Sequence, residues 1–193
     1  MDLTQLLNSN VGKDIISGIS NQTQTNEQDT ASVINAAAPV LMGMLQKNAS
    51  TPEGAQSLQG ALQEHDGNIL SNISTFLGAG GDTTDGNNIL GHILGNNRNT
   101  VEKQLSDQTG VSMPDVSKIL AMLAPIIMGF LGQQSRQQGQ GGNLTDLLGG
   151  LMGGSGSSSV GGSILSSILK QAGGAQGKAG GLGDMLGGIF GKK

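Results

Sequence analysis

The sequence predicts an all-α fold: a compact multi-helix domain built from two related helical repeats, followed by a flexible glycine-rich tail. Three observations carry this expectation. Apolar residues recur at i, i+3 and i+4 along residues 1–138. Strand signals are absent, with aromatic residues only 2% of the chain. Sliding the chain by 86 residues lays 2–45 on 88–131 without a gap. That overlay pairs Asn10 with Asn96, Ser20 with Ser106, Gln22 with Gln108, Thr23 with Thr109 and Asp29 with Asp115. Its densest match sets Ala38, Pro39, Met42, Gly43 and Leu45 on Ala124, Pro125, Met128, Gly129 and Leu131. Apolar positions correspond as well, as in Ile15/Val101, Ile19/Leu105, Val33/Ile119 and Leu41/Ile127.

In each copy the first helix carries Leu3, Leu6 and Leu7, or Ile89, Ile93 and Leu94. Ile15, Ile16 and Ile19 mark a short second helix. The third begins at a matched signal. Asn26 with Asp29, and Ser112 with Asp115, place a side-chain acceptor at the N-cap and a carboxylate three residues on. Pro39 and Pro125 lie about a dozen residues into these helices, where each removes a backbone donor and is expected to kink or split the helix. A hinge is one reading of that kink; a buried, kinked core helix repeated by duplication is the simpler one. Between the copies lies a helical pair over 51–77. Ser50-Thr51-Pro52-Glu53 opens a helix running to about Glu64, and Asn68 to Leu77 forms the next. Gly78 to Asn87 reads as a loop.

Glycine supplies 34 of the 193 residues, and 19 of those lie in residues 139–193. Net charge changes at the same place, from −6 over 1–138 to +2 beyond. The two shifts divide the chain into a duplicated helical domain, 1–138, and a Gly/Ser-rich tail, 139–193, with Gly132 to Gly142 as linker. Short amphipathic segments punctuate the tail, around Leu144 to Leu151, Ile164 to Leu169 and Leu182 to Phe190. Isolated helices broken by glycine are opposed by about 1 kcal/mol per glycine, so the tail is expected to be largely disordered.

Four motifs, Asn48 to Leu58, His65 to Leu70, Asn88 to Gly95 and Leu123 to Gly132, resemble in order the bacterial domain-of-unknown-function family 937. That family is similar to the YidB-like proteins. The resemblance covers about residues 1–150. It implies an all-helical fold with a homeodomain-like helical motif, and no enzyme, cofactor or catalytic residue. The tail lies beyond what it explains.

Composition closes several routes to chemistry. Without cysteine there is no disulfide framework, thiol nucleophile or Cys-based metal site. Three Phe with no Trp or Tyr leave no aromatic platform for stacking bases. The glycines have no three-residue period, which excludes collagen. His65 and His92 each lack a His or carboxylate companion at i+3 or i+4, so both read as polar residues rather than ligands or bases. Asp82 to Asn88 resembles a calcium loop but lacks the 1-3-5 oxygen spacing and terminal Glu of an EF-hand, and reads as a turn with helix caps. Gly78-Ala79-Gly80-Gly81 follows a helix rather than a strand and lacks a P-loop Lys. Catalytic, cofactor-binding and metal residues are therefore expected to be none, with no cofactor, no small-molecule substrate and no enzyme activity.

Three functional readings follow. The first is a non-enzymatic helical interaction module, with a protein partner or self-association. The second is a nucleic-acid-associated regulator through the homeodomain-like motif. It is disfavoured because the groove-reading helix would offer little beyond Asn35, Gln46, Lys47 and Lys118, on an acidic domain. The third is a peripheral membrane-surface protein through residues 160–193. No stretch reaches the roughly 20 apolar residues of a span, Ile119 to Leu131 being the longest, and the first residues lack a secretory signal. Cytoplasmic location is the expectation.

Overall fold

The computed structural model describes residues 3–64 and 68–137. These residues are all-helical, with no strand among them. In chain order they form α1 (Leu3–Leu7), α2 (Asn10–Thr23), α3 (Glu27–Ala49), α4 (Pro52–Glu64), α5 (Asn68–Ser71), α6 (Ile73–Gly78), α7 (Thr83–Leu94), α8 (Arg98–Thr109) and α9 (Met113–Gln137). A single 3₁₀ turn, Gly95–Asn97, joins α7 to α8.

The capping signals act as the sequence implies. Asn26 Oδ1 accepts the Asp29 N–H at 2.7 Å, and Ser112 Oγ accepts the Asp115 N–H at 3.3 Å. Thr51 Oγ1 accepts the Gly54 N–H at 3.1 Å at the start of α4. The turns joining α2 to α3 and α8 to α9 close with equivalent bonds 86 residues apart. Ser20 Oγ donates to the Thr25 carbonyl at 2.6 Å, and Ser106 Oγ to the Val111 carbonyl at 2.6 Å. Thr23 Oγ1 donates to the Ile19 carbonyl at 2.8 Å, and Thr109 Oγ1 to the Leu105 carbonyl at 2.7 Å. Helices α2 and α8 each end on a left-handed residue, Gln24 (φ 58°) and Gly110 (φ 76°).

The long helices α3 and α9 form the centre. No residue from Ala36 to Leu45 or from Ile119 to Gly132 is exposed, so both helices are covered on every side over those stretches. α9 packs against α2, α3, α4, α5, α7 and α8, while α3 packs against α2, α4, α7, α8 and α9. Neither helix is split by its proline: α3 is continuous through Pro39 and α9 through Pro125. Packing on all sides holds each together across the missing backbone bond.

Several expected boundaries move. Asn68 to Leu77 is not one helix; it breaks at Asn72 (φ −126°, ψ 32°) into α5 and α6. Thr83 to Asn87 are helical rather than loop, because Asp82 Oδ1 accepts the N–H groups of Thr84 and Asp85 at 3.0 and 2.9 Å and starts α7 early. Of the linker expected over Gly132 to Gly142, Gly132 to Gln137 are instead helical, where α9 continues through the helix-forming Gln and Arg side chains. Lengthened in this way, Met113–Gln137 is long and apolar enough to cross a membrane, contrary to the shorter run expected; 83% of its most apolar window is buried inside the protein. The tail segments expected over 139–193 lie outside the described residues.

Candidate functional site

One polar grouping that the helices assemble joins α7, α8 and α9. Arg98 opens α8 immediately after the 3₁₀ turn, and Glu102 follows one helical turn later on the same face. Arg98 Nε donates to Glu102 Oε1 at 2.7 Å. A terminal nitrogen of the same guanidinium donates to Asn87 Oδ1 on α7 at 2.5 Å and to Ser117 Oγ on α9 at 3.2 Å. Ser117 Oγ in turn donates to Glu102 Oε1 at 3.0 Å. Glu102 is 5% exposed, whereas Asn87 stands at the solvent rim. The carboxylate is thus taken from water with an ionic partner and a hydroxyl donor in place, the condition under which a buried charge is tolerated.

A second buried polar chain lies at the α2–α3 turn. Thr23 Oγ1 and Thr25 Oγ1 are 2.7 Å apart, and Thr25 Oγ1 and Thr30 Oγ1 are 2.6 Å apart. Thr30 is fully buried, so its hydroxyl is served by Thr25 rather than by solvent. Asn48, near the end of α3, donates through Nδ2 to the carbonyls of His92 and Ile93 at 3.1 Å each and caps the end of α7. Gln22 donates through Nε2 to the Leu77 carbonyl at 2.9 Å and does the same for α6.

These arrangements tie helices together. The α7–α8–α9 cluster brings one carboxylate to one guanidinium, and among the described residues no three His, Cys, Asp or Glu side chains converge as metal ligands would. The Asp115 carboxyl titrates below its ordinary value. The Ser112 hydroxyl bond, with a smaller contribution from Lys118, outweighs partial burial and holds it there.

Compared with known proteins, the chain matches the family described as bacterial protein of unknown function (DUF937) over residues 5–134. The chain belongs to that DUF937 family. No curated protein and no solved structure matches it.

In this DUF937 protein, His92 is exposed in the last turn of α7, and His65 lies outside the described residues. Asp82 acts as the N-cap of α7, as the cap reading of Asp82 to Asn88 expects. Gly78 to Gly81 end α6: Gly80 N–H bonds to the Leu77 carbonyl and Gly81 N–H to the Phe76 carbonyl, each 3.0 Å. Gly80 (φ 94°) and Gly81 (φ 64°) occupy backbone space that side chains strain. Of the polar residues on the candidate groove-reading helices, Asn35, Lys47 and Lys118 are exposed and Gln46 is half-buried. They are divided between α3 and α9, whose central turns are fully covered. The Arg98–Glu102–Ser117–Asn87 cluster escapes a sequence reading focused on histidines and acidic loops. Its signal is a departure from the 86-residue overlay of the sequence, which sets Arg98 on Gly12, Glu102 on Ile16 and Ser117 on Ala31.

Proposed function

We propose that this DUF937 protein is a non-enzymatic helical association module acting in the cytoplasm, built from a duplicated helix–turn–helix unit. The units are α2–α3 and α8–α9, two copies of a homeodomain-like helical motif used for packing. The reading is supported by the matched turn and cap bonds of the two units. The observation that carries it is unit-on-unit packing: α3 of the first is laid against α8 and α9 of the second, and α2 against α9. Association between like units is therefore part of how this fold covers its two apolar central helices, alongside α4, α5 and α7.

The same chemistry is used outward, toward a second copy or a helical protein partner, with the short amphipathic segments of residues 139–193 as the reaching elements. Light scattering on the full chain across a range of concentrations, with a tail-truncated chain beside it, tests the reading. Concentration-dependent self-association that weakens on truncation is expected. A monomer at every concentration that also captures no partner would sink it. The nucleic-acid alternative requires an exposed, basic helix face. The first turn of α3 instead carries Glu27 and Asp29, and that of α9 Asp115. Tight DNA binding at low salt would reverse the ranking. The membrane-surface alternative predicts co-sedimentation with anionic vesicles that depends on residues 160–193.

A further inference from the structure

The long helices α3 and α9 differ in how one corresponding face is covered. On α9, Gly86 of α7 lies so close to the Ala121 backbone that a Cβ would land on the carbonyl. Ala121 is 2% exposed, and Pro125 is buried. Beside that crossing, a terminal nitrogen of Arg98 joins Asn87 of α7 to Ser117 of α9. The 86-residue overlay sets Ser117, Ala121 and Pro125 on Ala31, Asn35 and Pro39 of α3. There Asn35 is exposed, and Ala31, Pro39 and Ile16 of α2 are half-buried. Residues 2–8, which overlay 88–94, supply only the five-residue α1, and α1 packs on α2. The face of α3 that corresponds to the α7 seat is therefore open around Asn35.

The tail carries a near copy of α7. Sliding the chain by 75 residues lays Gly86 to Gly95 on Gly161 to Lys170 without a gap. Five of those ten positions are identical: Gly161, Ile164, Leu165, Ile168 and Leu169 stand where α7 has Gly86, Ile89, Leu90, Ile93 and Leu94. These are the crossing glycine and the four apolar residues that α7 buries. Ser157 stands at the place of the N-cap Asp82, and serine caps about as well as aspartate. The exposed side is not kept, since Asn88 and His92 become Ser163 and Ser167. Asn87, the partner of Arg98, becomes Gly162, which suits a seat where Gly12 and Ile16 replace Arg98 and Glu102.

We propose that residues 157–170 dock as a helix across α3 of their own chain, in the seat that α7 fills on α9. The proposal rests on the duplication reading above. Gly161 lies on the Asn35 backbone, and the four apolar side chains turn onto the edge that holds Ile16, Ala31 and Pro39. Pro39 has no N–H for the Asn35 carbonyl, just as Pro125 has none for that of Ala121. A helix this short is marginal by itself, and the seat supplies the burial it needs. The 19 residues between Gln137 and Ser157 reach up to about 60 Å, well beyond a domain with a radius of gyration of about 14 Å. Such a tether holds the segment near its seat at an effective concentration on the order of millimolar, which favours its own chain over a neighbour. Leu144 to Leu151 and Leu182 to Phe190 stay available for contacts between chains.

The chain contains no cysteine, so an introduced pair reports on the seat without background. Ala31 and Gly162 are the counterparts of Ser117 and Asn87, which one guanidinium nitrogen joins. Ala31→Cys with Gly162→Cys in the full chain therefore reads the docked geometry. Ala31→Cys with Gly187→Cys, on a segment not assigned to the seat, is the control. Under mild oxidation the first pair is expected to close within one chain about tenfold faster than the control. Leu165→Asp with Ile168→Asp is expected to remove that advantage. Equal rates for the two pairs, or a rate indifferent to the aspartates, overturns the proposal. So does a disulfide found only between chains, which assigns the seat to a second copy. If Ala31→Cys disturbs folding, Asn35→Cys at its exposed position takes its place and is judged by the same outcomes. The intrachain disulfide is read separately from the mass measured by light scattering, so failure of the seat and failure of the association reading are distinguishable.

Discussion

Asp115 and Ser112 show how single residues set the ends of the central helices. Ser112 Oγ donates to Asp115 Oδ2 at 2.6 Å and accepts from its backbone N–H, while the Lys118 ammonium stands 3.4 Å from Asp115 Oδ1. The carboxyl is held below its ordinary 3.8, first by the Ser112 bond and then by Lys118. A carboxyl whose folded pKa is depressed adds stability above its unfolded pKa, and that stability disappears as pH falls through the folded value. Ser112→Ala is therefore expected to lower stability by about 1 kcal/mol near neutral pH. The deficit narrows below pH 3.8, as Asp115 is protonated. Urea titrations of both proteins at neutral pH and at about pH 2.5 check this, and a deficit that does not change with pH would refute the ionic share. The cap was legible in the sequence because its partners lie three residues apart. The left-handed end of α2 was not, because Gln24 has none of glycine's freedom; only Gly110 at the matching place of α8 hints at it.

At the scale of elements, α7 is placed by one close approach. Gly86 faces the backbone of α9 at Ala121, and a Cβ there would land on the Ala121 carbonyl. That carbonyl lies four residues before Pro125, which has no N–H to offer it. Proline on one helix and glycine on the other thus meet at a single crossing. Gly86→Ala is expected to cost about 1–3 kcal/mol through forced separation of α7 and α9. Gly91 lies on the same helix with nothing within 4 Å of a Cβ, and Gly91→Ala is expected to gain up to about 1 kcal/mol. Thermal unfolding of the two variants reads the contrast, and shifts of the same sign and size would refute the packing account. The start of α4 could be read from Thr51, Pro52 and Glu53, whose effects are local. The early start of α7 could have been found from Asp82, whose capping role the sequence suggested for a turn rather than a helix. The break at Asn72 carries no comparable mark, since neither proline nor glycine lies between Asn68 and Leu77.

At the scale of the whole molecule, the two units share one core, which runs from Leu6 through Ile15, Leu41 and Leu105 to Phe130 and Leu131. Because α3 and α9 are covered largely by elements of the other unit and by α4 to α7, neither unit is expected to melt alone. Helix loss by circular dichroism and amide exchange along residues 5–134 should report one coincident transition; separate transitions for the two units would refute the shared core. The sequence by itself determined that the domain is helical and how its long helices begin, because period and capping act over three or four residues. The tertiary structure alone decided that the proline-bearing helices run unbroken, that Gly86 seats α7 on α9, and that Arg98, Glu102, Ser117 and Asn87 meet. These outcomes depend on which backbones come together across long sequence separations, and helical spacing does not encode that meeting.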